Sequence, residues 1–359
     1  MRNELVNIGR AESGEGAPPA RLSYEAARSS PCADCAQSPC CTYLPLQSFT
    51  ISTLMELDNA AFLLNFDHVE LIVDSDGTWS VYYARPCTFL DTATYGCTLH
   101  GTPAQPDICV HYNPYQCFYK SAFRGRVSDS VIRIDRARLE RFAGLVTFDE
   151  DRNFDDLPDW ETLVRELSQI PFSSATAAPA AAPEEDPTAV WRDLVVLGRK
   201  PGTILQEAPF SPADPCEGCG AWCCKSLVFP QAVPATLIQL DYFKFCLGFP
   251  GVELGIAEDA WALVIRTTCR HLDGNRCSVY GKPERPLRCR YYSAQSCGFK
   301  PIFTYGRPEN LFRIGRTELP ALMSLMTLDP YGQITAMPPA ARIRDRIEED
   351  FRNPVRNRW

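Results

Sequence analysis

A chain of 359 residues, 45% hydrophobic and 22% charged, is long enough for two domains with cores of their own and has the makeup of a globular protein. Its formal net charge of −8 excludes a nucleic-acid scaffold, because binding phosphates needs a basic field and no Lys/Arg-rich block stands outside the C-terminal tail. No apolar run approaches the ~20 residues that span a bilayer, and residues 1–30 lack the apolar stretch of a secretion signal, so the expectation is a cytoplasmic protein with no membrane partner.

Residues 1–31 are polar and rich in Gly, Pro and Ala, and read as a loose N-terminal segment. Cys32, Cys35, Cys40 and Cys41 then form a tight knuckle. The spacing of Leu54, Leu57, Ala61 and Leu64 predicts an amphipathic helix. Residues 69–73 and 79–84 predict two strands about the Asp76-Gly77 turn. A loop follows with Cys87, Cys97, Cys109 and Cys117, in which Pro103 and Pro106 fix φ and shape the ligand loop. Helices are expected near 136–147 and 160–169. Residues 171–187 form an extended Ala/Pro linker. The domain reading is therefore a loose segment at 1–31, a first module at 32–170, the linker at 171–187 and a second module at 188–359.

The second module runs through the same order. Its knuckle is Cys216, Cys219, Cys223 and Cys224, and its helix carries Leu237, Leu240, Phe243 and Leu247. Strands are expected at 261–267 and 277–280, on either side of the Asp273-Gly274-Asn275 turn. Cys269, Cys277, Cys289 and Cys297 occupy the loop with Pro283 and Pro286, and helices follow near 318–327 and 340–351. The arginines of the tail, Arg342, Arg344, Arg346, Arg352, Arg356 and Arg358, are interrupted by Glu348, Glu349 and Asp350 and read as a solvated helix face. Residues 97–117 align with 277–297 without a gap at an offset of 180, pairing Gly101 with Gly281, Pro106 with Pro286 and Tyr112 with Tyr292. The match continues through Lys120/Lys300, Arg133/Arg313 and Arg136/Arg316, and upstream Leu57-Asp58 matches Leu240-Asp241. A match this long reads as gene duplication. The fold class is α+β: two homologous small modules, helices and short β-hairpins packed around cysteine-rich metal-binding loops.

All of the 17 cysteines except Cys246 belong to these two sets of eight. A CxxC pair aims two thiolates at one ion from a tight turn, as in zinc and iron–sulfur sites. Neighbouring side chains diverge, so Cys40 with Cys41 and Cys223 with Cys224 should feed two sites or bracket a polynuclear cluster, with more than one metal atom per module. A disulfide framework is disfavoured in a reducing compartment, a thioredoxin-like CxxC would need a βαβ context, and Cys246 reads as an inert core residue. Histidine ligation is not expected, because His100 and His111 correspond to Tyr280 and Tyr291, and His68 and His271 have no shared partner. Gathered thiolates repel and raise one another's pKa, so a cation that offsets their charge should also be needed for folding. Tyr112 and Tyr292 either hydrogen-bond a thiolate or fill the core. Lys120/Lys300, Arg133/Arg313 and Arg136/Arg316 either neutralise an anionic cluster or form surface salt bridges, the second being the more common role.

In the second module Cys216, Cys219, Cys223, Cys224, Cys269, Cys277, Tyr280, Arg285, Pro286, Cys289 and Arg290 resemble the YkgJ-type cysteine-cluster family of zinc- or iron-chelating domains. The first module keeps all eight cysteines and Pro106 but has Gln105 in place of Arg285 and Val110 in place of Arg290. The resemblance implies metal chelation, with zinc and an iron–sulfur cluster both open. It also suggests that any anion-binding role has moved to the second module. A branch resembling this family contains S-adenosylmethionine-dependent flagellin lysine N-methylases. The expected function is thus a metal-binding protein whose duplicated thiolate sites are structural, with a redox or metal-handling role open beside that, and with metal ions as its partners. The alternatives are a metal-dependent modifying enzyme, such as a protein methyltransferase, and an interaction adaptor stapled by metal.

Overall fold

The computed structural model describes residues 38–112, 119, 131–175, 221–256, 260–282, 284–292 and 312–352. Ser38 enters at a left-handed φ of 35° and turns the chain into a 3₁₀ turn, Pro39–Cys41, which holds the end of the first knuckle. Strand β1 (Tyr43–Thr50) leaves it directly, with a bulge between Pro45 and Gln47 where proline cannot donate to the ladder. Helix α1 (Leu54–Leu63) starts at a capping box, Thr53 accepting from the Glu56 amide while the Glu56 carboxylate accepts from the Thr53 amide, and it buries Leu57, Ala60, Phe62 and Leu63. Strands β2 (Val69–Asp74) and β3 (Thr78–Ala84) form the expected hairpin, Val69 opposite Tyr83 and Val73 opposite Trp79. A two-residue ladder, β4 (Leu90–Asp91) with β5 (Gly96–Cys97), and the short helix α2 (Asp107–His111) carry the later cysteines. Strand β6 (Val131–Ile134) closes the sheet in the order β1-β3-β2-β6. Helix α3 (Arg136–Ala143), the hairpin β7 (Thr147–Phe148) with β8 (Phe154–Asp156), and helix α4 (Trp160–Ser168) complete this half.

The second half follows the same path. A 3₁₀ turn at Trp222–Cys224, entered at Ala221 with φ 55°, leads into β9 (Ser226–Gln231) and helix α5 (Leu237–Cys246). Strands β10 (Val252–Ile256) and β11 (Trp261–Arg266), the ladder β12 (Leu272–Asp273) with β13 (Arg276–Cys277), and helix α6 (Leu287–Arg290) follow. Strand β14 (Phe312–Ile314), helix α7 (Leu319–Ser324), the hairpin β15 (Thr327–Leu328) with β16 (Ile334–Ala336), and helix α8 (Ala340–Arg352) end it. Its sheet has the order β9-β11-β10-β14, the topology of the first. The architecture is mixed α+β with several small antiparallel sheets. Among the described residues no helix is long and apolar enough to cross a membrane.

Several expectations change. The helices predicted to reach residues 147 and 327 stop at Ala143 and Ser324, because Thr147-Phe148 and Thr327-Leu328 pair as strands instead. The strand predicted at 277–280 ends at Cys277. Arg133 and Arg313 are not surface salt bridges. They form matched buried pairs with Glu70 and Glu253, Arg313 being only 2% exposed, because each guanidinium comes from the strand beside its glutamate. Residues 171–175, assigned to the linker, are docked: the amides of Ser173 and Ala175 donate to Asp135 and Glu70, and the Phe172 ring lies under Arg133 with 4.2 Å from guanidinium carbon to centroid. The remainder of that linker lies outside the described residues.

One apolar core runs through both halves. Leu57, Leu63, Phe66, Leu71 and Tyr83 of the first belong to the same buried cluster as Leu240, Phe243, Phe249, Leu254 and Leu263 of the second.

Candidate metal centre

In the first half the knuckle turn presents Cys40 and Cys41 side by side. The amide of Cys87 donates to the Cys41 carbonyl at 2.7 Å, which fixes the start of the late-cysteine loop against the knuckle. The loop then brings Cys97, on β5, and Cys109, in α2, to the same place. The electrostatics record the convergence. Its hydrogen bond with Cys40 and then burial push the Cys41 thiol far up, and the charges of Cys109 and Cys87 add to this. Burial likewise pushes Cys87, Cys97 and Cys109 up, with Cys40 among the neighbours that raise each of them. Cys40 therefore lies within electrostatic range of Cys41, Cys87, Cys97 and Cys109, five thiols from four chain segments.

Against that repulsion the backbone supplies donors. The Phe89 amide is aimed at the Cys87 sulfur, and the amides of Leu99 and His100 at the Cys97 sulfur. Such N–H···S contacts favour the thiolate and orient it, as they do around thiolate-bound metals.

The second half repeats these links. The Cys269 amide donates to the Cys224 carbonyl at 2.8 Å, and the His271 amide is aimed at the Cys269 sulfur. Its hydrogen bond with Cys224 and then burial push Cys223 far up. Burial pushes Cys289, in α6, up to about 12, with Arg285 opposing and Cys223, Cys269 and Cys277 adding. The sulfurs of Cys223 and Cys224 lie 4.0 Å apart. The two adjacent side chains thus end closer together than the expected divergence. A tetrahedral zinc site with Zn–S of about 2.3 Å sets its sulfurs about 3.8 Å apart, so the pair can share one ion.

Each half also holds the other's loop. The carboxylate of Asp241, on α5, accepts from the Ile108 amide at 3.1 Å, one of the free N–H groups that open α2. Asp58, on α1, does the same for the Leu287 amide of α6 at 2.7 Å. The Thr88 amide donates to the Gly248 carbonyl and the Arg270 amide to the Asn65 carbonyl, at 2.8 and 2.7 Å. Cys269 itself forms a β-bridge with Phe66. The carboxylates were visible in the sequence as the repeated Leu-Asp pair, but nothing local marked them as caps for a distant loop.

Among the sixteen cysteines expected as ligands, the structure brings together Cys40, Cys41, Cys87, Cys97 and Cys109 in one half and Cys223, Cys224, Cys269, Cys277 and Cys289 in the other. Cys32, Cys35, Cys117, Cys216, Cys219 and Cys297 lie outside the described residues, as do Lys120 and Lys300. Every described cysteine is a free thiol. Among the described residues, no group of three or more His, Cys, Asp and Glu side chains closes tightly enough around one point to hold an ion. Cys246 is fully buried, with its thiol pushed up to about 12 by burial. Tyr112 packs in a small cluster with Cys40 and Tyr119, the ring centroids of the two tyrosines 6.2 Å apart. The imidazole Nε2 atoms of His100 and His271 are buried and have no hydrogen-bond partner among the described residues.

Comparison with protein-family models, with curated proteins and with solved structures found no match.

Proposed function

We propose that the chain is a metal-binding protein with two thiolate centres, each taking zinc or an iron–sulfur cluster. Cys32, Cys35, Cys40, Cys41, Cys87, Cys97, Cys109 and Cys117 supply the first, and Cys216, Cys219, Cys223, Cys224, Cys269, Cys277, Cys289 and Cys297 the second. The observation that carries this reading is that thiols from separate segments converge, twice, beside backbone N–H groups aimed at sulfur. Burial alone makes such a set costly to ionise, and a bound cation reverses that by stabilising the thiolates. The donor chemistry fits soft, thiolate-preferring metals. The resemblance to the YkgJ-type cysteine-cluster family and the duplicated sequence support the same reading. Bound metal would supply structural closure of the late-cysteine loops, and an iron–sulfur core would add one-electron chemistry.

Anaerobic purification followed by metal and sulfide analysis and a visible spectrum on one sample tests it. Zinc in a colourless protein, or iron with matching sulfide and a broad band near ~400 nm, is the expected result. Protein without metal whose thiols oxidise in pairs would overturn it.

A further inference from the structure

The two centres differ in where their positive charge comes from. In the second half the guanidinium is local. Arg285 stacks on Tyr280 of the same loop, 4.2 Å from guanidinium carbon to ring centroid, and its charge favours ionised Cys223 and Cys289. The first half has Gln105 at that position, buried and accepting the Gly101 amide through its side-chain oxygen at 2.7 Å. Its loop is nevertheless met by a guanidinium. Arg316, from the second half, donates to the carbonyl of Ala104, next to Gln105, at 3.1 Å and to the Lys244 carbonyl at 2.7 Å. It also stacks on Phe89 at 4.4 Å.

Two further positions make this crossing possible. Gly248 has no side chain, and a Cβ there would lie 3.1 Å from the Cys87 sulfur and 3.4 Å from Arg316 Nη1. The thiol and the guanidinium thus converge on one bare spot of backbone. Asn65 occupies the position corresponding to Gly248 in the first half, and its side-chain oxygen captures Arg136, the counterpart of Arg316, at 2.6 Å. Arg136 is held further by Glu140 of its own helix at 3.0 Å. Positions 105/285 and 65/248 therefore differ in residue type, and the shared arginine at 136/316 turns to Asn65 in the first half but crosses to the first-half loop from the second.

We propose that Arg316 of the second half is the counter-charge residue of the first thiolate centre, doing from across the molecule what Arg285 does within the second. This rests on the reading of the two sets of thiols as metal centres. Electrostatics agree with the placement: burial lowers the Arg316 pKa, while Cys87, Cys109, Asp241 and Cys97 hold its charge in place.

The test uses the full chain loaded with Zn²⁺ and challenged with excess chelator while zinc release is followed. In R316Q half of the bound zinc should leave roughly tenfold faster and the other half at the wild-type rate, the size typical of groups that support metal ligands. R285Q should speed only the other half. In Q105R/R316Q, which moves the guanidinium to the place it has in the second half, slow release should return. Hydrogen bonds from Arg316 to two distant carbonyls would not be restored by that change, so rescue separates charge from scaffolding. Unchanged release from R316Q, equal acceleration of all the zinc, or absence of rescue overturns the assignment. Where R316Q alone does not fold, Q105R/R316Q decides: folded protein that retains its zinc supports the assignment, and unfolded protein gives Arg316 to the scaffold and overturns it. A wild-type chain that takes up no zinc overturns the centres themselves, a separate result.

Discussion

Arg313 donates to Glu253 at 2.5 Å, and Arg266 lies 3.7 Å from the other oxygen of the same carboxylate. Burial raises the Glu253 pKa and Arg313 is the first charge opposing it. Removing the guanidinium leaves a largely buried carboxylate with one weaker partner, so Arg313→Met should cost about 3 kcal/mol in denaturant unfolding. A loss below about 0.5 kcal/mol, the scale of a surface pair, would contradict the buried geometry. Asp74 makes a second prediction at this scale. Burial, and then the neighbouring Asp76, push its carboxyl up to about 6, while the Thr78 amide donates to it at 3.0 Å. A carboxyl whose folded pKa exceeds its unfolded value of about 3.9 favours folding most when protonated. Its contribution is therefore full below about pH 4 and is lost as the pH rises through about 6. The melting temperature of Asp74→Asn should gain on wild type over that interval and run parallel to it above, and a constant gap would exclude the effect.

The short helices α2 and α6 carry Cys109 and Cys289, and each is capped from the opposite half. Asp241→Ala leaves the opening amides of α2 without that acceptor, at a cost of about 1–2 kcal/mol. Amide hydrogen exchange should rise across 107–111 and stay unchanged across 287–290, with Asp58→Ala giving the reverse. An effect confined to the half that carries the substitution would count against the cross-capping. These elements also show what the sequence exposes. Helices α1 and α5 were readable from the spacing of Leu54, Leu57, Leu237 and Leu240, because a face that must be buried repeats with the helical period. Strands β1 and β9 were not read as strands. Pro45 and Pro230 interrupt them, and β1 opens with four consecutive buried residues, so neither alternation nor an unbroken β-branched run announces it. The cysteines could be singled out as candidate ligands because the residue type itself limits the chemistry. Asp58 and Asp241 could not be singled out, since an acid on an amphipathic helix has the pattern of a solvent-facing residue until a distant loop docks on it.

At the scale of the whole molecule, the two halves are joined by the core and by bonds that occur in matched pairs. Thr88 to Gly248 has its counterpart in Arg270 to Asn65, and Asp241 to Ile108 in Asp58 to Leu287. Arg316 breaks the match in one direction only. A fragment holding residues 38–175 would expose Phe66, Tyr83 and their neighbours, which the second half covers. Apolar surface on that scale is not tolerated by a soluble monomer. Such a fragment should aggregate or lack a cooperative transition, and co-expression with the remaining chain should rescue it. A fragment that melts cooperatively by itself would show that the shared core is dispensable.

The same cross-capping sets a timetable. A ribosome adding ~5–20 residues per second releases the first set of thiols well before their supports, because Asp241 follows Ile108 by 133 residues and Arg316 follows Ala104 by 212. For an interval on the order of ten seconds the nascent chain carries an oxidisable set of thiols without the contacts that the second half supplies. Closure of the first set of thiols is then tied to completion of the chain rather than to emergence of those cysteines. Chains stalled near residue 230 should be alkylated readily at Cys87, Cys97 and Cys109, and released full-length chains should resist, so that synthesis itself decides when these thiols are enclosed.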